Sequence, residues 1–171
     1  MWGKRNWRRR EMKEGTKSVL FAEHNFIHSI LIVLSWKKLY KKYPKLWEVV
    51  CIFLHDIGLV GCNYLTDLTN DNHELLGAKI AGFLFGEKGY NLVWGHRSSN
   101  IPNSRLEAPD DFSWCIAPIW WLKLSWLIQN KKTIEPVRWK ILLCERWIRR
   151  FQGENPSSLW ETITIDELKT K

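Results

Sequence analysis

Apolar residues recur along most of this chain at helical spacing. Between Ser18 and Lys42, Ile27, Ile30, Leu31, Leu34 and Trp36 fall near one helical face. Lys37, Lys38, Lys41 and Lys42 close that segment with charge that suits a helix C-terminus. Tyr43-Pro44 breaks it, and Pro44 suits the first turn of a second helix, from about Lys45 to His55 or Asp56. Gly58 to Asn72 is rich in Gly, Asn and Asp and reads as a loop, with Gly58 permitting a sharp exit. A third helix is expected from His73 to about Phe85, with Leu76, Ile80, Phe83 and Leu84 as its apolar stripe and Gly86 as its stop. A short helix then carries Tyr90 to His96. Two more are expected, from near Pro109 to Pro118 and from there to Gln129. Val137 to Phe151 repeats the amphipathic pattern, with Ile141, Leu142, Cys144, Trp147 and Ile148 at core spacing. No period-2 alternation of useful length interrupts this, and no glycine-rich phosphate loop. The pattern predicts an all-α fold, a compact bundle of about seven helices.

Length adds that 171 residues suffice for one domain with a real core. We divide the chain into a basic leader (1–17), a helical domain (18–152) and a tail (153–171). The formal net charge is +8, and it is uneven: the leader holds Lys4, Arg5, Arg8, Arg9, Arg10, Lys13 and Lys17 against Glu11 and Glu14. Such a run is a solvated end or an attractor for phosphates, including those of nucleic acid. It is not followed by an apolar stretch of the secretory kind. Cys51, Cys62, Cys115 and Cys144 form no C-x-x-C pair, and Cys51 and Cys144 lie in apolar helical runs. Together these features suggest a reducing, cytoplasmic setting. Phe112 to Ile128 is apolar and tryptophan-rich, but Pro118 and Lys123 interrupt it, and it is shorter than the roughly 20 residues of a spanning helix. No transmembrane segment is expected.

The chemistry centres on residues 51–59, CIFLHDIGL. An apolar run delivers His55 and Asp56 to the end of a buried helix. Burying a carboxylate without a partner is costly, and a bound cation would offset that cost. The chain has five histidines, His24, His28, His55, His73 and His96. Most of them sit at or near expected helix ends, and Asp110 begins a further helix. Ligands so placed can converge between helices.

The order of these residues resembles the HD-domain metal-dependent phosphohydrolases, whose pattern is H … HD … D, with two further histidines where two metals bind. The resemblance covers roughly residues 24–125. LHDIG at 54–58 matches the HD motif. HELLGAKIAGFLFG at 73–86 is similar to the segment that follows it in small bacterial and phage-type members. SRLEAPD at 104–110 is similar to the segment bearing the final aspartate. The resemblance implies His28, His55, Asp56 and Asp110 as core metal ligands, with His73 and His96 for a second ion. His24, four residues before His28 on the same expected helix face, is an alternative to His28, and Asp111 an alternative to Asp110. The implied cofactor is a divalent transition metal, two ions of Fe, Mn, Co, Ni or Zn, which suit imidazole and carboxylate donors.

The implied activity is hydrolysis of a phosphate ester, of a nucleotide or similar small molecule, by a metal-activated hydroxide. His55 and Asp56 would carry it, with Asp56 bridging two cations about 4 Å apart. Lys79 and Arg97 flank His73 and His96 and would neutralise phosphate charge. The alternative is an HD scaffold without catalysis, binding nucleic acid or a protein partner through the basic leader and exposed tryptophans. A third reading, with Trp120, Trp121 and Trp126 at a membrane surface, ranks below both.

Overall fold

The computed structural model describes residues 12–62, 73–97, 104–129 and 135–151. The arginines of the leader and the tail beyond Phe151 lie outside these residues, so the nucleic-acid expectation for the leader does too. The described residues fold into eight α-helices, with no strand among them. They are α1 (Glu14–Phe21), α2 (Phe26–Tyr40), α3 (Leu46–Leu54), α4 (His73–Phe85), α5 (Glu87–Trp94), α6 (Glu107–Ile116), α7 (Ile119–Ile128) and α8 (Pro136–Phe151). A single 3₁₀ turn, Ile57–Leu59, follows α3.

The all-α expectation holds, with eight helices rather than about seven. The expected first helix is two. It breaks at 22–25, where Asn25 caps α2 by accepting a hydrogen bond from the Ile27 backbone N–H at 2.9 Å. The two pieces meet at 58°. α1 also starts at Glu14, inside the stretch assigned to the leader. Its Gly15 N–H donates to the Cys62 carbonyl at 3.1 Å, which ties α1 to the chain just after the 3₁₀ turn.

α4 corrects the expected apolar stripe. Leu76, Phe83 and Leu84 are exposed, Phe83 at 89%. The buried residues are Glu74, Gly77, Ala78 and Ala81. Small residues let α4 approach its neighbours backbone to backbone: a Cβ on Gly77 would stand 2.2 Å from the Leu54 carbonyl oxygen of α3. Spacing alone selected the large residues, whereas close helix approach selects the small ones. Gly86 does stop α4, with φ of 70°.

α2 is central. Ile32 and Trp36 join Cys51 and Ile52 of α3, Ala78 and Ala81 of α4, and Leu92 and Val93 of α5 in one apolar cluster. Leu39 joins Phe112 and Cys115 of α6 and Cys144, Trp147 and Phe151 of α8 in a second. Leu31 packs with Trp121 and Leu122 of α7 in a third. Two polar contacts pin α8. Trp147 Nε1–H donates to the Ala108 carbonyl at 2.9 Å, and the buried Lys140 ammonium donates to the Ala117 carbonyl, at the C-terminus of α6, at 2.9 Å. No single helix among the described residues is long and apolar enough to cross a membrane. Trp121 and Trp126 are core residues; of the three tryptophans weighed for a membrane surface, Trp120 alone is exposed.

Candidate metal centre

Five helix ends converge on a cleft of about 360 Å³. His28 comes from the first turn of α2. His55 and Asp56 follow the last residue of α3. His73 is the first residue of α4, His96 lies just past α5, and Asp110 is in the first turn of α6. The 3₁₀ turn brings the middle of this set together. A Cβ on Gly58 would lie 1.8 Å from the His73 carbonyl oxygen. Glycine at 58 therefore serves close approach between the HD corner and the start of α4 rather than a special turn angle.

Two groups of donors result. His28, His55 and Asp56 form one, and Asp56, His73 and His96 the other, each with donor atoms within 4.8 Å of one another. Ligands about 2.1 Å from one tetrahedral cation stand roughly 3.4 Å apart, so each group fits a single ion with small closure. Asp56 belongs to both groups. Its Oδ2 lies 2.9 Å from His55 Nε2 and 3.7 Å from His28 Nε2, and its Oδ1 lies 3.5 Å from His73 Nε2. Asp110 Oδ1 stands 3.0 Å from His28 Nε2 and 3.6 Å from His55 Nε2, which extends the first group to four donors.

The ring orientations are set from behind. His55 and His96 each donate Nδ1–H to a backbone carbonyl three residues earlier, Ile52 at 2.5 Å and Val93 at 2.7 Å. Carbonyls only accept, so Nδ1 of both rings carries the proton and Nε2 is the atom left to ligate a cation. His28 Nδ1 meets the buried Ser113 hydroxyl at 3.2 Å. Three buried atoms, His55 Nε2, Asp56 Oδ2 and Asp110 Oδ1, complete no hydrogen bond among the described residues. Buried polar atoms are nearly always satisfied. Convergent orphans of this kind, all nitrogen and oxygen, fit a divalent cation.

The electrostatics agree. Burial works against charge on His55, but Asp56 and Asp110 outweigh it and hold the imidazole well above its ordinary value. Burial likewise opposes charge on Asp56 and Asp110, and the facing histidines overcome it, keeping both carboxyls below the usual range. His73 is raised in spite of burial by Asp56. His24 and His96 are lowered, chiefly by burial. Without a cation, protons on some of the rings balance the carboxylates.

The open alternatives separate in space. His24 lies in the α1–α2 break with Nε2 4.0 Å from Asp56 Oδ2, at the rim and outside both donor groups, and its Nδ1 meets Ser18 Oγ at 2.8 Å. Asp111 also lines the cleft but belongs to neither donor group, and it takes Arg150 at 3.0 Å. Arg97 lines the cleft, whereas Lys79 is exposed on α4 and is not among the lining residues.

Two cleft residues, and one buried behind the cleft, were not anticipated. Trp114 stacks on His28, with ring centres 4.5 Å apart, and walls that side. Arg150 of α8 is held by Asp111 and Glu107 at the rim. Glu74 sits behind His73 and Arg97. A carboxylate inside the apolar run of α4 was a readable signal for Glu74. Nothing in sequence links Arg150 to this corner.

Compared with known proteins, the chain matches no protein-family model, no curated protein and no solved structure.

Proposed function

We propose that this protein is a metal-dependent phosphohydrolase that cleaves a phosphate ester of a nucleotide or similar small molecule. The observation that carries the reading is Asp56, shared by two donor groups that together use five of the six ligands named from the HD-type pattern. The sixth, Asp110, borders the first group. His28, His55, Asp56 and Asp110 would hold one divalent ion, and Asp56, His73 and His96 a second, among Fe, Mn, Co, Ni and Zn. When bound, such a pair acidifies a water and draws charge from a phosphoryl oxygen.

The chain's own residues supply the rest. Arg97 and Arg150 line the same cleft, and their guanidinium groups supply N–H donors of a kind that suits phosphate oxygens. Asp111 and Glu107 fix Arg150, so little side-chain freedom is lost when an anion arrives. Trp114 keeps water off the back of His28. A volume near 360 Å³ suits a small molecule.

The test is phosphate release from nucleoside mono-, di- and triphosphates and from p-nitrophenyl phosphate, after loading with each of the five metals in turn. Metal-dependent turnover that Asp56→Ala abolishes supports the reading. A loaded, folded protein that releases phosphate from none of them contradicts it.

A further inference from the structure

α2 gives one face to the core and leaves the other bare. Its exposed residues are Phe26, Ile30, Leu34, Lys37 and Lys38. At about 100° per residue they fall within roughly 120° of one another. They form one stripe, apolar at the N-terminal end and basic at the C-terminal end. The turn that follows continues it: from 41 to 46 the exposed residues are Lys41, Lys42, Tyr43, Lys45 and Leu46, the last at 82%. Every exposed residue from 26 to 46 is thus apolar, aromatic or a lysine.

No acid balances this surface. The sequence from Asn25 to Trp47 contains no Asp or Glu, and the flanking Glu23 and Glu48 are buried. Among the described residues the exposed carboxylates are Glu87, which opens α5, and Glu135, just before α8. Lys37 rests over the Tyr43 ring, 4.2 Å from its centre, and so joins the helix end to the turn. Lys41 has a φ of 57°, a conformation that glycine or asparagine adopts at lower cost. α4 and α7 also expose apolar residues, Leu76, Phe83 and Leu84 on one and Trp120, Leu124 and Leu127 on the other. Each of those helices carries a single lysine. Only a surface both anionic and apolar would relieve the crowded cations and the bare stripe together.

We propose that the outer face of α2 and the turn after it dock on an anionic lipid bilayer. Phe26, Ile30 and Leu34 enter the boundary between headgroups and acyl chains, and the lysines meet the negative headgroups. Lysine stems can lie along apolar surface while the ammonium stays with the headgroups. Nucleic acid would satisfy the lysines and leave the aliphatic stripe in water. A second copy of this face would cover the stripe and bring no carboxylate to the lysines. The proposal is independent of the metal reading, and it uses a helix other than α7.

The experiment is co-sedimentation of the full chain with vesicles of phosphatidylcholine alone and of phosphatidylcholine mixed with phosphatidylserine. Wild type is compared with Phe26→Ser/Leu34→Ser and with Lys38→Gln/Lys42→Gln. All four side chains are exposed, and circular dichroism checks that the fold survives. We expect wild type to bind the mixed vesicles and not the neutral ones. The lysine variant should bind about 25-fold more weakly, at roughly fivefold per lysine. The apolar variant should lose about tenfold or more. Should a double variant misfold, Leu34→Ser or Lys42→Gln alone takes its place. Wild type that does not bind the mixed vesicles overturns the proposal. So does binding that both folded variants retain, because the basic leader would then account for it. Loss in only one variant overturns it too, since docking needs both halves of the stripe. Where only the lysines matter, competition by a single-stranded oligonucleotide assigns the corner to nucleic acid instead.

Discussion

The two donor groups share Asp56 but are built differently. His28 and His55 of the first are almost wholly buried, and their rings are braced by Ser113 and by the Ile52 carbonyl. Asp110 adds a fourth donor 3.0 Å from His28. In the second group His73 is only partly buried and stands at the start of α4, with Glu74 Oε2 3.6 Å from its Nδ1. Both positions are built from helix ends, but the histidines of the first are sealed in the core, whereas His73 of the second is partly exposed. A position whose ligands are buried on all sides holds its geometry without an ion, while one with a partly exposed ligand is more easily loosened.

Breaking each half should expose the asymmetry. His28→Ala should remove the tighter ion and lower kcat by on the order of a thousandfold or more, as does loss of one member of a catalytic unit. His73→Ala should cost only the weaker ion. Metal equivalents measured beside turnover check both.

Gly58→Ala tests the join between the halves. The added methyl would meet the His73 carbonyl oxygen. We expect a loss of about 1–3 kcal/mol in stability, typical of overpacking at a close contact. The second ion should be lost in preference to the first. Urea unfolding and zinc titration read the two effects.

Acidity sharpens the comparison further. In the metal-free protein His55 and His73 have raised values, so their contribution to stability is complete below the ordinary histidine value of about 6.5 and is lost as pH rises through their folded values. His24 and His96 are lowered, so their contribution is already complete above 6.5. The melting temperature of the metal-free protein should therefore fall as pH rises above about 7. Zinc should reverse the trend, because it displaces the same protons and binds more tightly as they leave. Scanning calorimetry from pH 7 to 9, with and without zinc, checks this.

The smallest effect is expected at Arg150. Arg150→Gln should raise KM about tenfold with little change in kcat, the loss of roughly one charge-assisted hydrogen bond. Metal content should be unchanged. Steady-state kinetics on the best phosphate ester would show it.

Much of the architecture was readable because the ionisable residues interrupt apolar runs at helix ends. His55, Asp56 and His96 could be placed that way, and so could the stop at Gly86. The choice between Asp110 and Asp111 could not, since adjacent residues on a helix differ by about 100° of direction and nothing local says which faces the histidines. The break at 22–25 was hidden because apolar spacing continues across it; the Asn25 cap is the signal that outweighs the spacing. The α4 face was misassigned because its contacts run through Gly77, Ala78 and Ala81, residues that carry little hydropathy. Arg150 reaches the cleft from α8, a long-range relation that only the packing of α8 on α6 creates.

The most direct measurement of the central claim is metal content by mass spectrometry, on protein purified without chelator or affinity metal, for wild type and Asp56→Ala. Because both donor groups use Asp56, the account predicts about two transition-metal equivalents in wild type and their joint loss in the variant. Wild type that holds no metal, even after reconstitution with Mn, Fe, Co, Ni or Zn, would contradict it.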